Sequence, residues 1–270
     1  MDRIAQAKIE DVMLSANIGE PLIAPNFIEK VKSLRAVGVK QIEITTNALF
    51  LYKIGLREML IDGPNKINVS FAGFDKDMYE RDYRVRHYER TRDNIMEIFR
   101  MNKALGTKRE ISLWLRGDLS RESLLAAPEI EELKPLVATI QIMTEVDDWI
   151  GLISEDTLPK GYVLQKEAPK LTQRPCMLLW DLTVHPDGDI HLCSCRNVFG
   201  DPNLHIGNIK DMTLLEAHEK IMDVHVLWES GNVPTTCKTC SMYCDPTLGF
   251  LGRWRRVLKK SPRKLIGKTS

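Results

Sequence analysis

The chain opens with apolar positions that switch repeatedly between a strand-like run and a helical period. Residues 9–15 form a short apolar run of the kind buried on both faces of a parallel sheet, and Gly19, Glu20 and Pro21 end it. Phe27, Ile28, Val31 and Leu34 then recur at helical spacing with Gly38 as a stop, so residues 25–37 are predicted as a helix. The cycle repeats with strand 41–46, a helix near Leu56, strand 67–71, helix 90–105 and strand 111–115. After a break rich in Glu and Pro, residues 137–143 give one more strand. Such alternation predicts an α/β fold with a mostly parallel sheet and crossover helices, in which ligands gather at the carboxyl ends of the strands. The candidate ligand loops are therefore 17–21, 45–48 and 70–75.

The pattern changes past residue 158. Residues 159–175, with Gly161, Pro169 and Pro175 in a polar setting, read as a linker. Beyond it, 178–184 and 189–193 flank Pro186-Asp187-Gly188, a hairpin signal because Asp-Gly tolerates the positive φ angles of a tight turn. Thr213 and Glu216 have capping-box spacing, and Leu214, Ala217, Ile221 and Trp228 fall near one helical face. The second unit is predicted as hairpin, helix and cysteine loop.

Composition adds little about partners. With 38 basic and 37 acidic side chains the formal net charge is +1, so no whole-chain field points to nucleic acid or a membrane surface. No apolar run is long enough to span a bilayer, and the first twenty residues show no signal-peptide core, which predicts a cytoplasmic protein. The six cysteines are informative, because all lie between Cys176 and Cys244. In a reducing compartment clustered thiols are metal or cluster ligands more often than disulfides.

Cys176 precedes the hairpin, Cys193 is expected on its second strand, and Cys237 and Cys240 form a Cys-x-x-Cys loop after the helix. Four thiolates suit a [4Fe–4S] cluster, and they suit a tetrahedral structural zinc equally well; spacing alone leaves both open. Cys195 lies two residues past Cys193 on the same expected strand, where alternation points both to one face, so either is a candidate second ligand. With Cys244, that count suits one cluster and two spare thiols.

Cys176, eleven residues, Gly188, four residues and Cys193, followed by Cys237-x-x-Cys240, resembles the C-terminal auxiliary-cluster domain of radical S-adenosylmethionine (radical SAM) enzymes, of the SPASM or shorter twitch type. Leu182 to His191 is similar to that family's L-x-V-x-x-D-G hairpin, and Ile206-Gly207-Asn208-Ile209 to its I-G-N-I segment before the helix. This resemblance favours [4Fe–4S] over zinc, with Cys176, Cys193, Cys237 and Cys240 as ligands.

The front half resembles the radical SAM core from its second strand onward. Gly19-Glu20-Pro21-Leu22 is similar to the G-G-E-P-L loop that holds the methionine amino group, with Ile18 in place of the first glycine. Thr45-Thr46-Asn47 resembles the T-N-G at the next strand end, with Ala48 in place of glycine, and Ser70 matches the V-S-x-D-G strand end facing ribose and carboxylate. Arg84 falls near the family's downstream arginine. By resemblance, S-adenosylmethionine would thus meet Gly19, Glu20, Pro21, Asn47, Ser70 and Arg84. Taken singly, each has an ordinary structural role open to it, such as a helix-start charge for Glu20 or a turn for Asn47.

One departure is large. The family binds its catalytic cluster through Cys-x-x-x-Cys-x-x-Cys after a first strand, and here eight residues without cysteine precede the strand at Ile9. The chain as written is expected to be unable to form the deoxyadenosyl radical. Either it is a fragment of an enzyme that modifies a peptide or small molecule with electrons from a reducing donor, which the retained loops favour, or it is a non-catalytic iron–sulfur or zinc protein for electron transfer or partner binding.

The expected organisation is a partial (β/α) radical SAM barrel at 1–158, a linker at 159–175, a SPASM or twitch-like iron–sulfur domain at 176–250 and a basic tail at 251–270. From Arg253 to Lys268 the tail holds eight basic residues and no acid, a pattern expected of a solvated segment. The histidines at 87, 185, 191, 205, 218 and 225 show no metal-ligand spacing, so structural roles are expected for them.

Overall fold

The computed structural model describes residues 1–15, 19–117, 120–143, 145–158, 162–165, 171–193, 197 and 200–246. The chain divides into two compact units, residues 1–146 with 154–164, and residues 147–153 with 165–270.

In the first unit, α1 (Asp2–Gln6) leads into β1 (Asp11–Leu14), α2 (Phe27–Ala36), β2 (Gln41–Thr46), α3 (Leu51–Ile54), α4 (Leu56–Ile61) and β3 (Lys66–Phe71). Then follow α5 (Lys76–Tyr83), α6 (Tyr88–Leu105), β4 (Glu110–Arg116), α7 (Arg121–Leu125), α8 (Pro128–Leu133) and β5 (Ile140–Met143). Strands β1 to β5 make one parallel sheet in sequential order. The short β6 (Glu145–Val146) pairs with β7 (Val163–Leu164), which lies in the stretch expected to be a linker.

The register explains why one face of the sheet is the core. Ile44 lies beside Ile67, Ile67 beside Ile111, Val69 beside Leu113 and Phe71 beside Leu115. All of these are essentially inaccessible, as are Val31 of α2 and Ile95 and Ile98 of α6 packed in the same cluster. Each such side chain contributes roughly 1.5–3 kcal/mol by burial. Sequential parallel strands with right-handed crossovers carry their helices on one side. The opposite face presents Glu43, Thr45, Asn68, Ser70, Ser112 and Trp114 by strand alternation, and there Asn68 Nδ2 donates to Glu43 Oε1 at 2.6 Å.

This arrangement corrects one expectation. β1 is an edge strand with Asp11 and Met13 exposed and Val12 and Leu14 half-buried, so it alternates instead of being covered on both faces. The helix α5 was not expected, since its sequence is mostly polar; Asp75 caps it by accepting from Met78 N at 2.8 Å.

In the second unit, a 3-10 turn (Met177–Trp180) precedes β8 (Leu182–Val184), β9 (Asp189–Leu192) and β10 (His205–Asn208), which form an antiparallel sheet in the order β10, β9, β8. β10 turns the expected hairpin into a three-stranded sheet. α9 (Leu214–Glu229) starts at a capping box in which Thr213 and Glu216 bond reciprocally, and α10 (Thr235–Lys238) carries Cys237. Leu179, Ile190, Leu192, Leu204, Ala217, Ile221 and Trp228 form the core with the cysteines.

Cys193 lies one residue beyond β9 with φ of 58°, not on the strand, so the alternation argument linking it to Cys195 does not hold. Cys195, the tail from Arg253 to Lys268, and Asn17 and Ile18 of the first loop lie outside the described residues.

Gly188 closes the β8–β9 turn at φ +97°, and its N–H bonds to His185 O at 2.9 Å. A Cβ there would sit 2.9 Å from Asn208 Oδ1 and 3.1 Å from Ile209 Cγ2. Gly188→Ala is therefore expected to destabilise the second unit by more than about 1 kcal/mol, read as a lower denaturant midpoint at unchanged slope.

Candidate metal centre and cofactor loops

Three segments far apart in sequence deliver sulfur to one place. Cys176 stands at the start of the 3-10 turn, and Cys193 follows β9 in a left-handed conformation uncommon for a residue with a side chain. Cys237 lies on α10, and Cys240 N donates to Cys237 O at 3.3 Å in the turn that follows. All four line one cavity, whose remaining wall is Leu178, Leu179, Trp228, Met242 and Tyr243. Cys176, Cys193 and Cys237 are buried, Cys240 is half-buried, and none of the four is in a disulfide.

Cys244 joins this group from behind. Its N–H donates to Cys176 Sγ at 3.3 Å, and its carbonyl accepts from Met177 N at 2.9 Å, so residues 176–177 and 244 are clasped by backbone. Cys244 does not line the cavity with the other four.

Burial and proximity both disfavour ionisation at this centre. Burial pushes the Cys237 thiol far up, and the neighbouring sulfurs of Cys193, Cys240 and Cys176 push it further. Burial also raises Cys176, and the amides of Cys244 and Leu178 oppose that by donating to its sulfur. Four thiols this close cannot all ionise alone, whereas a soft cation ionises each ligand it binds. Apolar walls, converging thiols and an amide aimed at one sulfur are the donor set for zinc or an iron–sulfur group.

Asp201 is a participant that sequence reasoning missed. Buried at 6% exposure, its Oδ2 accepts from Thr236 N at 2.9 Å, holding the residue next to Cys237. Its Oδ1 accepts from Asn203 N, and its own N–H donates to Asn197 Oδ1. Asp201-Pro202-Asn203 has the Asx-turn composition that would have marked a fixed loop.

In the first unit the structure joins most of the expected cofactor loop through one carboxylate. Glu20 is buried, with Oε1 accepting from Thr46 Oγ1 at 2.6 Å and Leu22 N at 3.2 Å, and Oε2 accepting from Asn47 N at 2.7 Å. Gly19 precedes it at φ +122°, and Pro21 opens a 3-10 turn. Burial pushes the Glu20 carboxyl up, and the three donors pull against it. Asn47 Oδ1 accepts from Leu49 N at 3.0 Å, and Ala48, between them, has φ of 64°. Ser70 lies near the carboxyl end of β3, beside Trp114 of β4, and its carbonyl accepts from Tyr83 OH at 3.1 Å. Arg84 ends α5 in a left-handed conformation and is exposed.

Replacing Glu20 by Gln turns one acceptor oxygen into an NH2 group facing donors. Glu20→Gln is expected to lower stability by about 1–3 kcal/mol, measured by denaturant unfolding; an unchanged midpoint would show that these bonds carry no weight.

Comparison with known proteins agrees with the cysteine geometry. A stretch of 78 residues is 33% identical to GTP 3',8-cyclase of Lactiplantibacillus plantarum, and it covers 28% of this chain and 23% of that enzyme. The chain thus matches about a quarter of the length of this curated relative. Residues 176–241 match SPASM, an iron–sulfur cluster-binding domain, and that span contains all four cysteines that line the cavity.

Proposed function

We propose that Cys176, Cys193, Cys237 and Cys240 hold one [4Fe–4S] cluster, and that the chain is part of a radical SAM protein of the SPASM or twitch type. The observation that carries this reading is the convergence of four cysteines, none in a disulfide, on one cavity inside the residues that match an iron–sulfur domain. A cluster there would supply one-electron transfer. The chain's own part is to aim four sulfurs, to donate the Cys244 N–H to Cys176 Sγ, and to keep water out with Leu179, Trp228 and Tyr243.

On the same reading, residues 1–158 form the S-adenosylmethionine-binding core and 176–250 the auxiliary-cluster domain. Gly19, Glu20, Pro21, Asn47, Ser70 and Arg84 are the residues assigned to S-adenosylmethionine. Support comes from the position of Asn47 and Ser70 at carboxyl ends of parallel strands and from the Glu20 bonds that fix the backbone of the first loop. The substrate is a peptide or small molecule, and a reducing donor feeds the cluster. The matched share of the cyclase is too short to bring GTP across.

Radical formation needs three more thiolates, and this sequence has no cysteine before Cys176. The four thiolates that line the cavity also suit a tetrahedral structural zinc, and the second reading is a non-catalytic iron–sulfur or zinc protein used for electron transfer or partner binding.

Oxygen-free reconstitution followed by metal analysis tests the centre. About four irons and four acid-labile sulfides per chain are expected, and Cys237→Ser should lose most of both. One zinc and no sulfide, or iron content indifferent to all four cysteines, would overturn the assignment. Incubating the reduced, loaded chain with S-adenosylmethionine is expected to release no deoxyadenosine, and catalytic release would show that the chain cleaves it unaided.

A further inference from the structure

The outer face of the three-stranded sheet gathers residues that their spacing in sequence did not connect. Along β9, Ile190 and Leu192 point into the core, so Asp189 and His191 point out. In the pairing of β9 with β10, His205 lies directly opposite His191, and a register shift follows between His205 and Gly207. One ligand atom from each of Asp189, His191 and His205 lies within 4.8 Å of the others. This corrects the expectation that the histidines form no metal-ligand pattern; the pattern is across strands, where spacing along the chain does not show it.

We propose that Asp189, His191 and His205 form a binding site for a divalent transition-metal cation of the zinc class, with ligands separate from the cysteine centre. Two imidazoles and a carboxylate are a borderline-soft set that binds such ions and leaves positions open for water or substrate. Asn208 Nδ2 donates to Asp189 Oδ1 at 2.8 Å, which orients the carboxylate and helps hold it ionised. His205 Nε2 is 3.9 Å from the same oxygen. Tetrahedral zinc places its ligand atoms roughly 3.4 Å apart, so from separations of up to 4.8 Å side-chain rotation on this open face has at most about 1.4 Å to close.

The neighbours define the details. Asp201 N–H fixes the Asn197 amide by donating to its Oδ1, which leaves Asn197 Nδ2 donating to His191 Nδ1 at 3.0 Å. The His191 proton is then on Nε2, and the lone pair the cation takes is the one at Nδ1, in exchange for the Asn197 bond. His185 stands on the other side, its ring 4.9 Å from that of His191. The ordinary alternative is an ion pair of Asp189 with His205 at the surface, which would be worth little.

The experiment uses the full chain with its cysteine centre already loaded without oxygen and its iron content known. Zinc is then titrated calorimetrically, and the added zinc is examined by X-ray absorption. One further zinc per chain, bound by nitrogen and oxygen donors alone, is expected. His205→Ala and Asp189→Asn should each weaken it at least about tenfold, whereas the control His218→Ala, at an exposed position of α9, should not. His205 is exposed, so its loss leaves the core intact. No added zinc, sulfur among its ligands, or equal affinity in His205→Ala would overturn the site and leave the ion pair as the explanation. The measured iron content reports separately on the cysteine centre, so either assignment can fail without the other.

Discussion

The burial of several thiols in one small hydrophobic cluster is the constraint on which the second unit depends. Cys176, Cys193, Cys237 and Cys244 belong to the same core as Leu179, Ile190 and Trp228, so the place where a metal would sit and the place where the unit gains its hydrophobic stabilisation coincide. Ionising Cys237 without a cation is opposed by burial and by its neighbouring sulfurs, and burial opposes it at Cys176 as well. The free energy of binding a metal there would then be folding free energy, as in other small metal-centred domains. Supporting polar contacts surround this core: Trp228 Nε1 donates to Thr172 O, and Tyr243 OH bonds Thr172 and Arg174.

The first unit follows a different rule. Its sheet is apolar on one face and polar on the other because sequential parallel strands take their helices on a single side. The polar face carries Glu43 bonded to Asn68, and the carboxyl ends of β2 and β3 carry Thr46, Asn47 and Ser70. Glu20 draws its own loop to the end of β2 by two hydrogen bonds, from Thr46 Oγ1 and Asn47 N, and a third from Leu22 N fixes the loop itself. Ala48, in a left-handed conformation between the donors Asn47 and Leu49, accepts strain to complete that turn.

The parallel sheet was legible in the sequence wherever two signals agreed. Ile42 and Ile44, Ile67 and Val69, and Ile111 and Leu113 alternate, and the helices between them have full apolar stripes, so β2, β3, β4, α2 and α6 follow from periodicity. α5 did not, because its hold comes from the Asp75 cap and from Tyr79 and Tyr83 packing as aromatics, which a hydrophobic count of a polar octet does not register. β10 was read only as a motif, since Gly207 breaks the strand pattern at a bulge. The cysteine spacing pointed to one cavity, yet it placed Cys193 on the strand; the left-handed turn there depends on local backbone that spacing cannot encode. Asp201 and the His191–His205 pair were invisible for a shared reason, in that each works through a partner distant in sequence or across a strand.

The clasp between residues 176–177 and Cys244 has a consequence for how the protein is made. During synthesis the first sulfur emerges long before the segment that shields it, and Cys237 and Cys240 follow near the end of that interval. A ribosome-bound chain can complete its parallel sheet while the cavity still lacks a wall. A group held by all four cysteines would therefore be bound only once residues 237–240 have been made, well after the strands of the parallel sheet.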